Sequence, residues 1–181
     1  MRGLERIFSV ARQQVAFWIR ELVQNLPPLK TTLLPAKLGD VLEFDEAWSF
    51  VLKKLNKRWL WTVICRRTRQ IVAFTLGDRS EKACRRLWGK IPAEYRTATL
   101  YSDFWKAYQQ VLPQDQHQAL GKESGQTNHM ERWYCTLRQR LSRYVRKTLS
   151  FSKSDAYHHM VTKWYIYDYN FAIKELSSLT L

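Results

Sequence analysis

The sequence is short of acids. Sixteen Asp and Glu stand against 30 Lys and Arg, a formal charge of +14 over 181 residues. Such an excess leaves self-repulsion that a polyanion relieves. Nucleic acid is the leading partner, because phosphate neutralisation releases counterions; an anionic membrane surface is the rival. Cysteine is scarce as well. Cys65, Cys84 and Cys135 are odd in number and far apart, which argues against a disulfide framework and fits a reducing cytoplasm. With no Cys-x-x-Cys pair, a structural zinc site is not expected, and the three read as small buried apolar residues. No apolar run approaches bilayer length and no signal-peptide core is present, so spanning and secreted classes are set aside. Internal repeats and low-complexity segments are also absent. What remains is 45% hydrophobic and 14% aromatic residues, enough for one main folded domain.

Apolar residues at three- and four-residue spacing predict helix over 2–24, with an interruption at Ser9-Val10-Ala11. Two readings stay open there. One is a single amphipathic helix on the main domain. The other is two helices, the second opening with Arg12, Gln13 and Gln14 like the second half of a helix-turn-helix. Pro27, Pro28 and Pro35 then make 26–38 a linker. From Gly39-Asp40 the pattern changes to strands over 40–51, 58–65 and 70–76. Ser80 caps a helix to about Lys90, a fourth strand spans 98–102, and a helix spans 104–112. A short fifth strand is expected at 116–120, a long helix at 128–146 and a last helix at 154–172. Three antiparallel strands leading into parallel strands with helices is the order of a ribonuclease H-like domain, an α/β fold with sheet order 3-2-1-4-5. The expected organisation is a partial helix-turn-helix segment at 1–25, the linker, a main domain at 39–173 and a tail at 174–181.

Within that layout three acids stand out. Strand one carries Glu43-Phe44-Asp45-Glu46, where alternation puts Glu43 and Asp45 on one face. Asp103 sits where strand four runs out, a usual place for sites in α/β sheets. In the expected order strands one and four are neighbours, so Asp45 and Asp103 meet although 58 positions apart (103 − 45). Glu131 lies at the start of the long helix that would cover them. Three clustered carboxylates repel unless a cation intervenes, and all-oxygen ligands suit Mg²⁺ or Mn²⁺. Around Glu131 the helix is basic. Arg132, Arg138, Arg140, Arg143, Arg146 and Lys147 have no acid among them before Ser154, which favours phosphate binding over salt-bridge lacing. Arg138, seven residues beyond Glu131, shares nearly its face. His117 and His129 read as structural or phosphate contacts.

These residues resemble a known family. Glu43-Phe-Asp45-Glu46-Ala-Trp48 looks like the first-acid motif of the insertion sequence 1 family of bacterial transposases. Leu100-Tyr-Ser-Asp103-Phe-Trp105 is similar to its second. Asn128-His-Met-Glu131-Arg132, followed by Leu137-Arg138-Gln139-Arg140-Leu141 and Arg146-Lys147-Thr-Leu-Ser150-Phe-Ser-Lys153-Ser, resembles its third. The resemblance spans about residues 3–170. It implies a DDE triad of Asp45, Asp103 and Glu131 holding Mg²⁺ or Mn²⁺, and cutting and joining of the ends of an insertion element. The implied partners are double-stranded DNA at terminal inverted repeats and target sites, and further copies of the chain on that DNA, in a bacterial cytoplasm at the nucleoid. The family's upstream cysteine zinc motif is missing. The expectation is therefore an N-terminally truncated copy, or a downstream frame with an upstream or fusion partner. Ala11 stands where the family has a capping Ser or Thr, and Trp133-Tyr134-Cys135 where it has an aromatic or His and then Asn. Two other readings compete: a catalytically inactive DNA-binding fragment that regulates transposition, and a host ribonuclease H-like nuclease.

Overall fold

The computed structural model describes residues 2–145 and 147–179. Its centre is a five-stranded sheet in the order β3-β2-β1-β4-β5. Strands β1 (Val41–Phe50), β2 (Lys57–Cys65) and β3 (Ile71–Gly77) form an antiparallel meander. β4 (Thr99–Ser102) and β5 (His117–Ala119) add to it in parallel. This is the mixed α/β, ribonuclease H-like arrangement that the order of elements predicts. Helices cover both faces, which is why β2 reads as an almost unbroken apolar run rather than an alternating one.

One face carries Leu42, Phe44, Trp61 and Val63 and packs on α3 (Glu81–Gly89) and α4 (Lys106–Val111). The other carries Ala47, Leu60 and Ile64 and packs on α5 (Asn128–Arg140) and α6 (Asp155–Ser178). Ser80 and Ser154 cap α3 and α6 through hydrogen bonds from Ala83 N (3.3 Å) and Tyr157 N (3.2 Å). None of the described helices is long and apolar enough to cross a membrane.

The N-terminal alternatives resolve as two helices, α1 (Arg2–Phe8) and α2 (Arg12–Gln24), with Ser9 in the left-handed region between them. Ala11 begins α2 without a side-chain cap. The second helix packs against α6 and buries Val15, Ala16 and Val23, with Arg20 donating to the Tyr157 hydroxyl at 2.8 Å and Lys163 to the Val23 carbonyl at 2.9 Å. Within the proline-rich segment a 3-10 turn, Leu29–Thr32, is laid against the sheet. Thr32 is buried there, bonded by Asn170 and Gln70.

Two helix ends differ from expectation. The helix expected over 128–146 stops at Arg140 and gives way to a 3-10 turn at Ser142–Tyr144. Long-range contacts override local propensity at that point. Tyr144 is buried with its hydroxyl on Thr162 (2.6 Å), and Ser49 donates to the Arg143 carbonyl (2.8 Å). The last helix continues six residues beyond Ala172, through Ser178, over a stretch with no Gly or Pro to stop it.

Candidate active site

The site grows out of strand register. β1 pairs with β4 as Val41↔Thr99, Leu42↔Leu100 and Glu43↔Tyr101, a constant offset of 58 (99 − 41). Asp45 and Asp103 have that same offset, so they stand level on neighbouring strands just past the last paired residues. Each has one carboxylate oxygen tied to backbone: Asp45 Oδ1 accepts from Glu46 N at 2.7 Å, and Asp103 Oδ1 from Trp105 N at 2.9 Å. The other oxygen of each is left for a cation or solvent.

Glu131 arrives in the first turn of α5, and Glu43 sets where that turn lies. Glu43 is fully buried. Its carboxylate accepts from Met130 N at 3.1 Å, from Arg66 Nε at 2.9 Å, and pairs with His129 Nδ1. Arg66 also donates to the Gln126 carbonyl at 2.7 Å, holding the loop that enters the helix. One turn past Glu131, the Tyr134 hydroxyl lies 2.9 Å from the Asp45 carbonyl, 3.2 Å from that of Leu60, and 2.5 Å from Thr62 Oγ1. The helix carrying one acid is thus bonded to the backbone of another.

Asp45, Asp103, Glu131 and Arg138 line one cavity of about 460 Å³, together with Glu46 and Arg79. Burial, and then the charges of Glu46, Asp103 and Glu131, push the Asp45 carboxyl up to about 7 against the backbone bond that lowers it. Glu46, on the opposite face of β1, is a fourth carboxylate. Burial raises it too, against a 2.7 Å hydrogen bond from the Tyr108 hydroxyl and the charge of Arg79. Among the described residues no three His, Cys, Asp or Glu side chains form a ready-made metal cluster. The donor set nevertheless fits a hard divalent cation: all oxygens, unbalanced negative charge at Asp45, and open space in front.

The basic residues divide into groups. Arg138 reaches the cavity beside the acids. Arg12, Gln13 and Arg143 come together with Arg20 in a second cleft of about 880 Å³ between α2 and the start of α6. Gln14, Arg132, Arg140 and Lys147 are exposed and line neither. Arg146 lies outside the described residues. His129 holds Glu43, and His117 Nε2 bonds Ser102 Oγ at 2.8 Å. Cys65 and Cys84 are buried, whereas Cys135, expected inside, is exposed on the cavity wall because it lies one turn beyond Glu131 on the same helix.

Sequence reasoning did not find Arg79, Tyr134 or the anchoring role of Glu43. For Glu43 a signal existed, since it shares a strand face with Asp45. Arg79 had none, because its contacts come from 33 residues before and 26 after (79 − 46; 105 − 79).

A family model described as IS1 transposase matches residues 40–172. The chain is similar to the insertion element iso-IS1n protein InsB of Shigella dysenteriae, 36% identical over 126 residues, covering 70% of this chain and 93% of that protein. The insertion element IS1 protein InsB of Shigella flexneri is 35% identical over 124 residues, covering 68% and 92%. The insertion element IS1 9 protein InsB of Escherichia coli K12 is 32% identical over 147 residues, covering 80% and 86%.

Proposed function

Because the chain belongs to the IS1 transposase family, and so has a role in transposition, we propose that its cavity cleaves and rejoins DNA at the ends of an insertion element. The observation that carries this reading is the level placement of Asp45 and Asp103 on adjacent parallel strands, with Glu131 brought to the same cavity by α5. Asp45, Asp103 and Glu131 would hold Mg²⁺ or Mn²⁺ through their free oxygens. When bound, such ions would supply charge neutralisation and activation of the attacking and leaving oxygens in phosphodiester transfer. The chain's own part is positional. Glu43 and Tyr134 fix α5 to β1, so that the third acid is held against the first two. Arg138 offers a fork of donors to a phosphate at the cavity edge. Arg12, Gln13, Gln14, Arg132, Arg140, Arg143, Arg146 and Lys147 would hold DNA beyond it. The substrate is double-stranded DNA with terminal inverted repeats, bound by more than one copy at the bacterial nucleoid.

The test uses a duplex carrying the element's terminal repeat. Parent protein should nick it and transfer the strand only with Mg²⁺ or Mn²⁺. Asp45→Asn, Asp103→Asn and Glu131→Gln should each lower the rate by at least about a thousandfold while keeping DNA affinity. Equal cleavage by Asp45→Asn sinks the proposal. A parent that binds salt-sensitively yet never cleaves would make the chain a DNA-binding competitor instead.

A further inference from the structure

Arg79 stands at the cavity that the acids line, yet it comes from the turn after β3. Its guanidinium is held on three sides. Nε donates to Glu46 Oε1 at 2.6 Å, and Nη2 pairs with the same oxygen. The group lies over the Trp105 ring at 3.9 Å and over Trp59 at 4.7 Å. Glu46 is aimed in turn by the Tyr108 hydroxyl at 2.7 Å, and Trp105 by its backbone bond to Asp103. The supports of Arg79 are therefore the neighbour of Asp45 and the loop that follows Asp103.

A guanidinium carries five N–H donors in a rigid plane. Two are directed at one oxygen of Glu46, and among the described residues the others have no acceptor. Stacked planar cations with spare donors are suited to bidentate phosphate contacts. A salt bridge alone does not need two tryptophan rings. Arg138 reaches the same cavity from α5, which covers the other face of the sheet. The cavity thus has one cation from each side of the sheet, with the carboxylates between.

We propose that Arg79 binds a DNA backbone phosphate at this cavity, held ready for it by Glu46, Trp59 and Trp105, so that the strand is gripped between Arg79 and Arg138. The proposal rests on the cavity being the site of DNA processing. Losing one Lys or Arg contact to a B-DNA phosphate lowers the slope of log affinity against log salt by about 0.9. The experiment measures that slope for duplex DNA without divalent metal, beside thermal unfolding. Arg79→Gln should lose about 0.9 of slope and roughly tenfold in affinity at low salt. Arg79→Gln alone leaves Glu46 buried with one partner fewer and can fail to fold. The double variant Glu46→Gln/Arg79→Gln keeps a neutral hydrogen-bonded pair and should show the same loss. Glu46→Gln alone keeps the cation while loosening its hold, and should lose less slope than the double variant. A parental slope in the double variant overturns the proposal and leaves Arg79 as a structural partner of Glu46. The readout needs no cleavage, so it stands apart from Asp45→Asn, whose cleavage at the parental rate would remove the active-site reading instead.

Discussion

Asp45 sets stability against function. Its carboxyl is pushed up to about 7 by burial and by Glu46, Asp103 and Glu131, whereas an unfolded chain keeps it near ~4. Between those values the folded state binds the proton more tightly, so its contribution to stability is full at low pH and is lost as pH rises towards 7. Removing the charge should then help at high pH. Asp45→Asn is expected to melt about 2–4 °C or more above the parent at pH 8, for a gain of at least ~1 kcal/mol, and the gap should close near pH 4. A gap of equal size at both pH values would show that the carboxylate is not strained. Divalent metal supplies the complementary check. At pH 8, millimolar Mg²⁺ should raise the melting temperature of the parent and leave Asp45→Asn unmoved. The three acids, which line one cavity, stood out in the sequence through their joint placement at two strand ends and the start of a basic helix, whereas each alone reads as a solvated surface group. Arg79 was not, because its meaning lies entirely in contacts made across the fold.

At the scale of elements, α5 is the part whose placement decides the site. Its first turn hangs on one buried carboxylate, Glu43, shared by Met130 N, Arg66 and His129. Glu43→Ala would leave Arg66 and the Met130 N–H without their acceptor. The expected cost is about 2–4 kcal/mol in denaturant unfolding. Cleavage should fall further than DNA affinity, because the displaced group is Glu131. Glu43→Gln keeps an acceptor and should lose much less. If Glu43→Ala cleaves like the parent, α5 is held by its apolar face alone. Strands β1 to β3 were readable from their β-branched and aromatic runs, and the start of α5 from the break at Gly121–Thr127. Its end was not. Arg140 is followed by residues that would continue a helix, and only Ser49, Tyr144 and Thr162, distant in sequence, turn the chain there. Trp133-Tyr134-Cys135, which stand where the family has other residues, lie within α5: Trp133 packs on Tyr165 and Tyr169, and Tyr134 bonds to β1.

For the whole molecule, the formal charge of +14 is arranged rather than spread. Four of the acids, Asp45, Glu46, Asp103 and Glu131, line the cavity, and a second group of cations sits in the cleft where α2 meets α6. Arg12, Gln13, Arg20 and Arg143 line that cleft, drawn from segments more than 100 residues apart. Among the described residues Arg12 pairs with Glu5 at 3.0 Å, and both side chains are well exposed. Such a pair is worth ~0–1 kcal/mol and yields readily to a phosphate. Arg143 is half-buried, with Ser152 Oγ at 3.3 Å as its partner, and burial lowers its pKa. A cation in that position gains from an anion more than a solvated one does. If DNA passes from the cavity through this cleft, Arg12→Gln and Arg143→Gln together should reduce the salt slope by about 1.8, twice the single-contact value. Affinity should fall alike for specific and unrelated duplexes, since phosphate contacts position without reading sequence. The cleavage rate of fully bound DNA should stay close to that of the parent, because neither side chain reaches the acids. An unchanged slope would place the DNA path elsewhere and reduce α2 to a packing element on α6. A rate that falls while the slope holds would instead mean that the cleft acts on the cavity through the 3-10 turn at Ser142–Tyr144.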